Sequence, residues 1–286
     1  MEKAQEKAII LREALPYIKK YTDKIFVIKY GGNAMIDDDI KRSVMGDIAM
    51  LRHVGINVVV VHGGGPNISK EMQKEHIEPK FIDGLRYTDE KTIEVVKRVS
   101  FEINNGICEM LRAEKCQAET FEPKKIKAKV KDRKLGLVGE ITAVKQRKLL
   151  KMLSKEIVPV ISPLGWDGKH YLNINADTVA TMVAEAVGAE KLTILTDVEG
   201  VFEDGKLISH LSISVAKAGI ERGVISKGMI PKVLACVHAV NADVPKAHLI
   251  DGTLKHSLLL EIFTDKGVGT EIVKDDANGI STDKTN

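Results

Sequence analysis

Apolar positions along the chain switch repeatedly between a spacing of three or four residues and short unbroken runs. In the first twenty or so residues Ala8, Leu11, Leu15 and Ile18 recur at helical spacing with charges between them, which predicts an amphipathic helix. Pro16 lies late in that helix and predicts a bend. The run IFVIKY, Ile25 to Tyr30, reads as a buried strand that feeds a tight turn at Gly31 and Gly32. Ile40, Val44, Ile48 and Leu51 mark one face of a helix from Asp38 to Gly55, with Gly55 as its C-cap. A second strand, INVVVV, leads into HGGGPN and a helix from about Ile68 to Glu75. Strand, helix and strand in this order are the mark of a parallel sheet with crossover helices.

The same rhythm continues. A long helix is expected from Thr88 to Arg112. Short strands or a hairpin are expected in the lysine-rich, alternating segment Ile126 to Val144. IVPVIS, Leu192 to Thr196 and AHLID read as further strands; Thr178 to Val187, Met229 to Asn241 and HSLLLEIF read as helices. The polar tail after Val273 is expected to be loose. No repeat or low-complexity linker divides the chain. The fold class is therefore α/β: a three-layer αβα sandwich around an open, mainly parallel central sheet.

Composition narrows the function. A net charge of +3 over 286 residues leaves no electrostatic footprint for nucleic acid. Three cysteines without a CxxC pair argue against a disulfide framework or structural zinc, and for a reducing compartment. No apolar run reaches membrane-spanning length, and the first residues mix both charge signs, unlike a signal peptide. A cytoplasmic protein is the expectation.

Two glycine clusters, Gly31-Gly32 and Gly63-Gly64-Gly65, sit just after predicted strands, where an open parallel sheet binds its ligands. Bare N–H groups in such turns form nests for phosphate or carboxylate oxygens. The P-loop pattern is absent, and the dinucleotide pattern lacks its last glycine, since Ile68 stands there. Lys29, inside an apolar strand, is costly to bury unless it is paired or reaches an anion. In LNINADTVA, Asn173, Asn175 and Asp177 alternate ahead of a helix, so Asp177 fits an N-cap as well as a site residue. Lys232 in SKGMIPKV reads equally as a surface lysine. Arg86 in DGLRYTDE suits a bidentate grip on a carboxylate or an ordinary loop position.

Taken in order, VIKYGGNAM, VVHGGGPNIS, DGLRYTDE, NINADTVA, LTDVEGV and KGMIPKV resemble the N-acetylglutamate kinases of the amino-acid kinase superfamily, from about Ile25 to Val273. The resemblance implies an amino-acid kinase domain over 25–286, with an acyl amino acid lobe to about residue 180 and an ATP lobe after it. It implies transfer of the γ-phosphoryl group of ATP to the side-chain carboxylate of N-acetyl-L-glutamate, a step of arginine biosynthesis, with Mg2+ carried on ATP and no protein metal ligands. Lys29, Lys232 and Asp177 would be catalytic. Gly32, Gly64, Gly65, Arg86 and Asn173 would bind substrate. Relatives on the same fold, carbamate kinase and glutamate 5-kinase, and a non-catalytic amino-acid sensor are the alternatives.

The resemblance extends to arginine-sensitive members, which carry an extra helix before the first strand. Residues 1–24 would then be an oligomerisation helix in a hexamer built as a trimer of dimers, and L-arginine a feedback inhibitor. Its site would use Tyr17, Lys191, His256, Glu261, Gly267 and Gly269. The chain departs from the family in two places. AETFEPKKIKAKVKDRK stands where a glycine- and serine-rich stretch is common, and Lys227 where a glycine is common.

Overall fold

The computed structural model describes residues 2–265 and 267–275. At its centre is an eight-stranded sheet, ordered His210–Ser212, Gly269–Val273, Lys246–Asp251, Lys191–Thr196, Ile25–Tyr30, Asn57–His62, Val158–Ile161 and Ala118–Phe121. The six strands from Lys246–Asp251 onward are mutually parallel. Gly269–Val273 pairs antiparallel with Lys246–Asp251, which makes the sheet mixed at that edge. Side chains alternate across the sheet, so each strand feeds two cores. Val27, Val59, Val61 and Ile194 pack under helices Gln146–Leu153, Ala176–Val187, Ile213–Glu221 and Met229–Asn241. Phe26, Ile28, Val58 and Val60 pack on the other face under Asp38–His53, Glu90–Ala113 and Ser257–Phe263. The expected three-layer α/β sandwich is what the chain forms. Each fully buried Val or Ile contributes about 1.5–3 kcal/mol, and this is why the central strands are nearly unbroken in β-branched residues.

The helices begin where the sequence supplies a cap. Asp37 accepts from the N–H groups of Asp39 and Ile40, and Asp89 from that of Thr92. Gly55 follows the end of Asp38–His53 with φ +93°, a conformation that favours glycine. The amino-terminal helix, Glu2–Tyr21, continues through Pro16. It leaves Ile9, Ile10 and Leu11 more than half exposed, at 56, 62 and 68%.

The lysine-rich segment forms the expected hairpin, Ile126–Val130 against Gly139–Val144. It belongs to a separate four-stranded sheet with Leu164–Trp166 and Tyr171–Asn173. The stretch that departs from the family supplies the edge strand Ala118–Phe121 and then turns into this hairpin. Lys227 has φ +47°, which explains why a glycine suits that position. The polar tail beyond Asp275 lies outside the described residues. Among the described residues no helix is long and apolar enough to cross a membrane.

Candidate active site

A cavity of about 300 Å³ opens beyond the carboxyl ends of Ile25–Tyr30 and Asn57–His62. Lys29, Gly32, Gly64, Gly65, Arg86, Asn173, Asp177 and Lys232 all line it. The eight catalytic and substrate residues expected from sequence, drawn from positions 29 to 232, therefore meet at one place.

Asp177 is the centre of its charge. Lys29 Nζ lies 3.0 Å from Asp177 Oδ1, and Lys232 Nζ lies 3.6 Å from Oδ2. Lys29 and Asp177 are each about 8% exposed, so the pair is nearly dry. Burial alone would raise the Asp177 carboxyl; the two lysines, Lys29 above all, outweigh it and hold it below the usual carboxylate range. The Oδ1 contact lies outside hydrogen-bond geometry, which leaves that oxygen without an aligned donor. One carboxylate between two ammonium groups leaves an excess of positive charge facing the cavity.

Local sequence explains how Asp177 reaches this place. The N-cap of Ala176–Val187 is Asn175, whose Oδ1 accepts from the N–H groups of Asp177 and Thr178. The capping role that Asp177 could have taken is filled two residues earlier, and its carboxylate is free to face the lysines. Lys29 lies one residue before the turn that ends its strand. A Cβ on Gly31 would sit 3.1 Å from Lys29 Nζ, and Gly32 has φ +69°, so this turn needs its glycines.

Arg86 enters from a two-stranded hairpin, Phe81–Ile82 with Leu85–Arg86. Its guanidinium donates to Gly65 O at 3.0 Å and Ser69 Oγ at 2.8 Å, and stacks 4.8 Å from the centre of the Phe81 ring. Asn173 is tied to the same wall. Its Nδ2 donates to Thr88 Oγ1 at 3.0 Å, and Thr88 in turn donates to Arg86 O. Ile68, Leu85, Val138 and Ile174 make the apolar part of the lining. The cavity can thus hold a small anion-bearing molecule with an apolar portion, with two lysines and an arginine among its lining.

A second cavity, of about 180 Å³, is lined by Tyr17, Lys191, Glu261, Gly267 and Gly269. Lys191 Nζ is 3.6 Å from Glu261 Oε1, and His248 Nδ1 is 2.5 Å from the same oxygen. Tyr17 donates to Asp265. His256 does not join them. It precedes helix Ser257–Phe263 with φ +61°, its Nδ1 lies 2.7 Å from Asp47 Oδ1, and it is not among the residues that line this cavity.

The sequence profile of the amino acid kinase family matches residues 24–251. The acetylglutamate kinase of Caldanaerobacter subterraneus subsp. tengcongensis is 48% identical, over 94% of each chain. That of Desulforamulus reducens is 46% identical, over 94% of this chain and 98% of its own. The chain belongs to the acetylglutamate kinases of the amino acid kinase family. A solved N-acetylglutamate synthase from Neisseria gonorrhoeae, complexed with coenzyme A and N-acetyl-glutamate, superposes with a TM-score of 0.87 at 24% identity. The match covers 94% of this chain and 64% of that one. The same synthase complexed with coenzyme A and L-arginine superposes at 0.82, also at 24% identity, over 93% of this chain and 65% of that one. At that identity the likeness is one of fold.

For a member of the acetylglutamate kinases, several residues around the two cavities act through contacts that the sequence does not show. Thr88 joins Arg86 to Asn173; it stands in the motif DGLRYTDE, but nothing in the sequence ties it to Asn173, 85 positions away. Ser69 holds Arg86 across seventeen positions of chain. His248 bridges Glu261 and Glu271 from within an apolar strand. Asn175, one of three alternating polar residues before a helix, lines the first cavity and carries a sequence signal of its own.

Proposed function

We propose that this chain transfers the γ-phosphoryl group of ATP to the side-chain carboxylate of N-acetyl-L-glutamate, in arginine biosynthesis. The observation that carries the reading is the Lys29–Asp177–Lys232 cluster in the lining of a glycine-lined cavity. It is supported by curated acetylglutamate kinases at nearly half identity over nearly the whole chain.

The chemistry follows from charge. The acceptor carboxylate is ionised at neutral pH and needs no general base. One of its oxygens attacks the γ-phosphorus while the bond to the β–γ bridging oxygen breaks, which gives N-acetyl-L-glutamyl 5-phosphate and ADP. Two anions must meet, so the barrier is mainly electrostatic. Lys29 meets the transferring phosphoryl from the acceptor side and Lys232 from the nucleotide side. Asp177 holds both ammonium groups in place. The N–H groups of Gly32 and Gly64 meet phosphoryl and acceptor oxygens, and Gly65 leaves room for them. Arg86 leaves Gly65 O and Ser69 to take the α-carboxylate, while Asn173 meets the amide end. ATP lies beyond the carboxyl ends of Lys191–Thr196 and Lys246–Asp251. Mg2+ arrives on the ATP phosphates as part of the substrate. Among the described residues no group of three His, Cys, Asp or Glu gathers as a metal cage, and Asp177 is already engaged by lysines.

The second cavity supports L-arginine as an inhibitor. Glu261 offers a carboxylate for a guanidinium, and Lys191 an ammonium for an α-carboxylate. The exposed apolar residues Ile9, Ile10, Leu11 and Leu15 support docking of the first helix on a second copy, in a hexamer. Removal of residues 1–23 is expected to give an active dimer that arginine no longer inhibits. A full-length dimer indifferent to millimolar arginine refutes this part alone. The activity itself is tested by trapping its product. Incubation with ATP, Mg2+, N-acetyl-L-glutamate and hydroxylamine should yield a hydroxamate in step with ADP. ADP without hydroxamate excludes an acyl phosphate product.

A further inference from the structure

His62 ends the strand Asn57–His62, is fully buried, and lines no part of the first cavity. Its two ring nitrogens are nevertheless both engaged. Nδ1 lies 2.8 Å from Gly63 O, and Nε2 lies 3.0 Å from the Asn104 side-chain amide. That amide continues to Thr120 Oγ1 at 2.6 Å. A relay therefore runs from the edge strand through a helix to the glycine turn. We propose that His62 is a positioning residue that aims the Gly64 N–H into the cavity by holding the Gly63 carbonyl on the opposite side. The inference rests on the phosphotransfer reading above.

Peptide geometry makes the link. Gly63 C=O and Gly64 N–H belong to one planar trans peptide, in which the two groups point in opposite directions. Fixing the carbonyl on the buried ring therefore fixes the N–H away from it, on the side where Gly63, Gly64 and Gly65 line the cavity. Among the described residues the Gly64 N–H donates to no backbone carbonyl, so a bound oxygen is a fitting acceptor. The turn has little stiffness of its own, because three consecutive glycines carry no side chains to restrict it.

The proton assignment follows. A carbonyl only accepts, so Nδ1 must carry the hydrogen. Burial pushes the His62 pKa down to about 4, so the ring is neutral at physiological pH and Nε2 is an acceptor. The Asn104 amide then turns its NH2 to His62 and its oxygen to the Thr120 hydroxyl, an orientation that the neutral ring dictates.

The test has a spectroscopic and a kinetic arm. Two-bond 1H–15N correlation NMR on the full-length chain labelled with 15N-histidine reads the tautomer at pH 7. The His62 signals are identified by their loss in His62→Asn. A neutral Nδ1–H ring is expected; an Nε2–H tautomer or an imidazolium overturns the assignment, whatever the activity. In the kinetic arm, His62→Leu should lower kcat by at least about tenfold, as for a lost oxyanion donor, with KM for ATP within about twofold. His62→Asn, which keeps a nitrogen donor near Nδ1, should recover most of kcat. Equal losses in Leu and Asn variants of matched Tm overturn the proposal. Absence of ADP release in the wild type counts against the phosphotransfer reading and leaves the tautomer result to judge His62.

Discussion

The molecule has two buried charge clusters on neighbouring strands, and they are built to opposite designs. Lys29 stands near the carboxyl end of Ile25–Tyr30, whereas Lys191 opens Lys191–Thr196. Phe26 pairs with Lys191 and Lys29 with Ile194, so the two lysines are three residues apart along the sheet, about 10 Å. Their side chains lie on opposite faces. Lys29 shares its face with Val27 and Ile194, and Lys191 lies over the rings of Tyr21 and Phe26. In the first cluster one carboxylate faces two ammonium groups. In the second, Glu261 and Glu271 face Lys191, Lys246 and His248. Positive charge in excess suits a site where anions meet and react. A nearly balanced set suits a zwitterion that exchanges one internal ion pair for another. The difference teaches that burial of charge is common to both clusters, and that the unbalanced sign at the carboxyl end of a parallel sheet is what supports reading the first as the reacting site.

Substitutions can break this contrast. The largest effect is expected at Lys29. Lys29→Ala should lower kcat by at least about a hundredfold, since a charge stabiliser is removed at the reacting phosphoryl. Lys29→Arg should rescue it poorly, because a planar guanidinium does not replace a compact ammonium in so closed a place. Near wild-type turnover in Lys29→Ala would reverse the roles assigned to the two clusters.

Arg86→Ala comes next. It should raise KM for N-acetyl-L-glutamate about tenfold and leave KM for ATP nearly unchanged. Asp177→Asn should instead depress kcat, because it loosens the lysines and not the acceptor. If Arg86→Ala altered the ATP parameters alone, the acceptor would lie elsewhere.

The smallest effect at neutral pH is expected at the second cluster. Burial alone would raise Glu271, but His248 and Lys246 hold its pKa at about 2. Its folded value is below its unfolded one. Its contribution is therefore complete above about pH 4.5 and is lost as the pH falls toward 2. The contribution is up to about 3 kcal/mol. Urea unfolding at a series of pH values should show a shallower acid loss in Glu271→Gln than in the wild type, with catalysis at pH 7.5 unaltered. An identical acid slope in both would remove Glu271 from the account.

Much of this was legible in the residues, for reasons that differ by element. Buried strands such as Ile25–Tyr30 and Asn57–His62 are written as β-branched runs, and the long helix Glu90–Ala113 as a sustained apolar stripe. Helices Gln146–Leu153 and Ile213–Glu221 escaped notice. The first buries only Leu149 and Leu153, and the second, ISVAKAGIE, mixes β-branched residues with glycine. The hairpin that carries Arg86 has strands of two residues, too short for any period. At the first cavity Lys29 was evident because a lysine in an apolar strand is costly, whereas Asp177, Lys232 and Arg86 each had an ordinary reading and stood out only through the family motifs. Ser69 against Arg86, Thr88 against Asn173 and Asn104 against His62 act through contacts that only the tertiary fold creates. His256, which a motif match placed with the second cavity, does not line it and lies against Asp47.

The central claim is that the cavity at the carboxyl ends of the strands is an acceptor site for N-acetyl-L-glutamate. Its most direct test is ADP release by the full-length chain with ATP and Mg2+, measured side by side with N-acetyl-L-glutamate, glutamate, aspartate and carbamate. The account predicts that N-acetyl-L-glutamate gives the highest kcat/KM by a wide margin, because only it offers both an α-carboxylate for Arg86 and an acyl amide for Asn173. Preference for carbamate or free glutamate, or no acceptor-dependent ADP release at all, would contradict it.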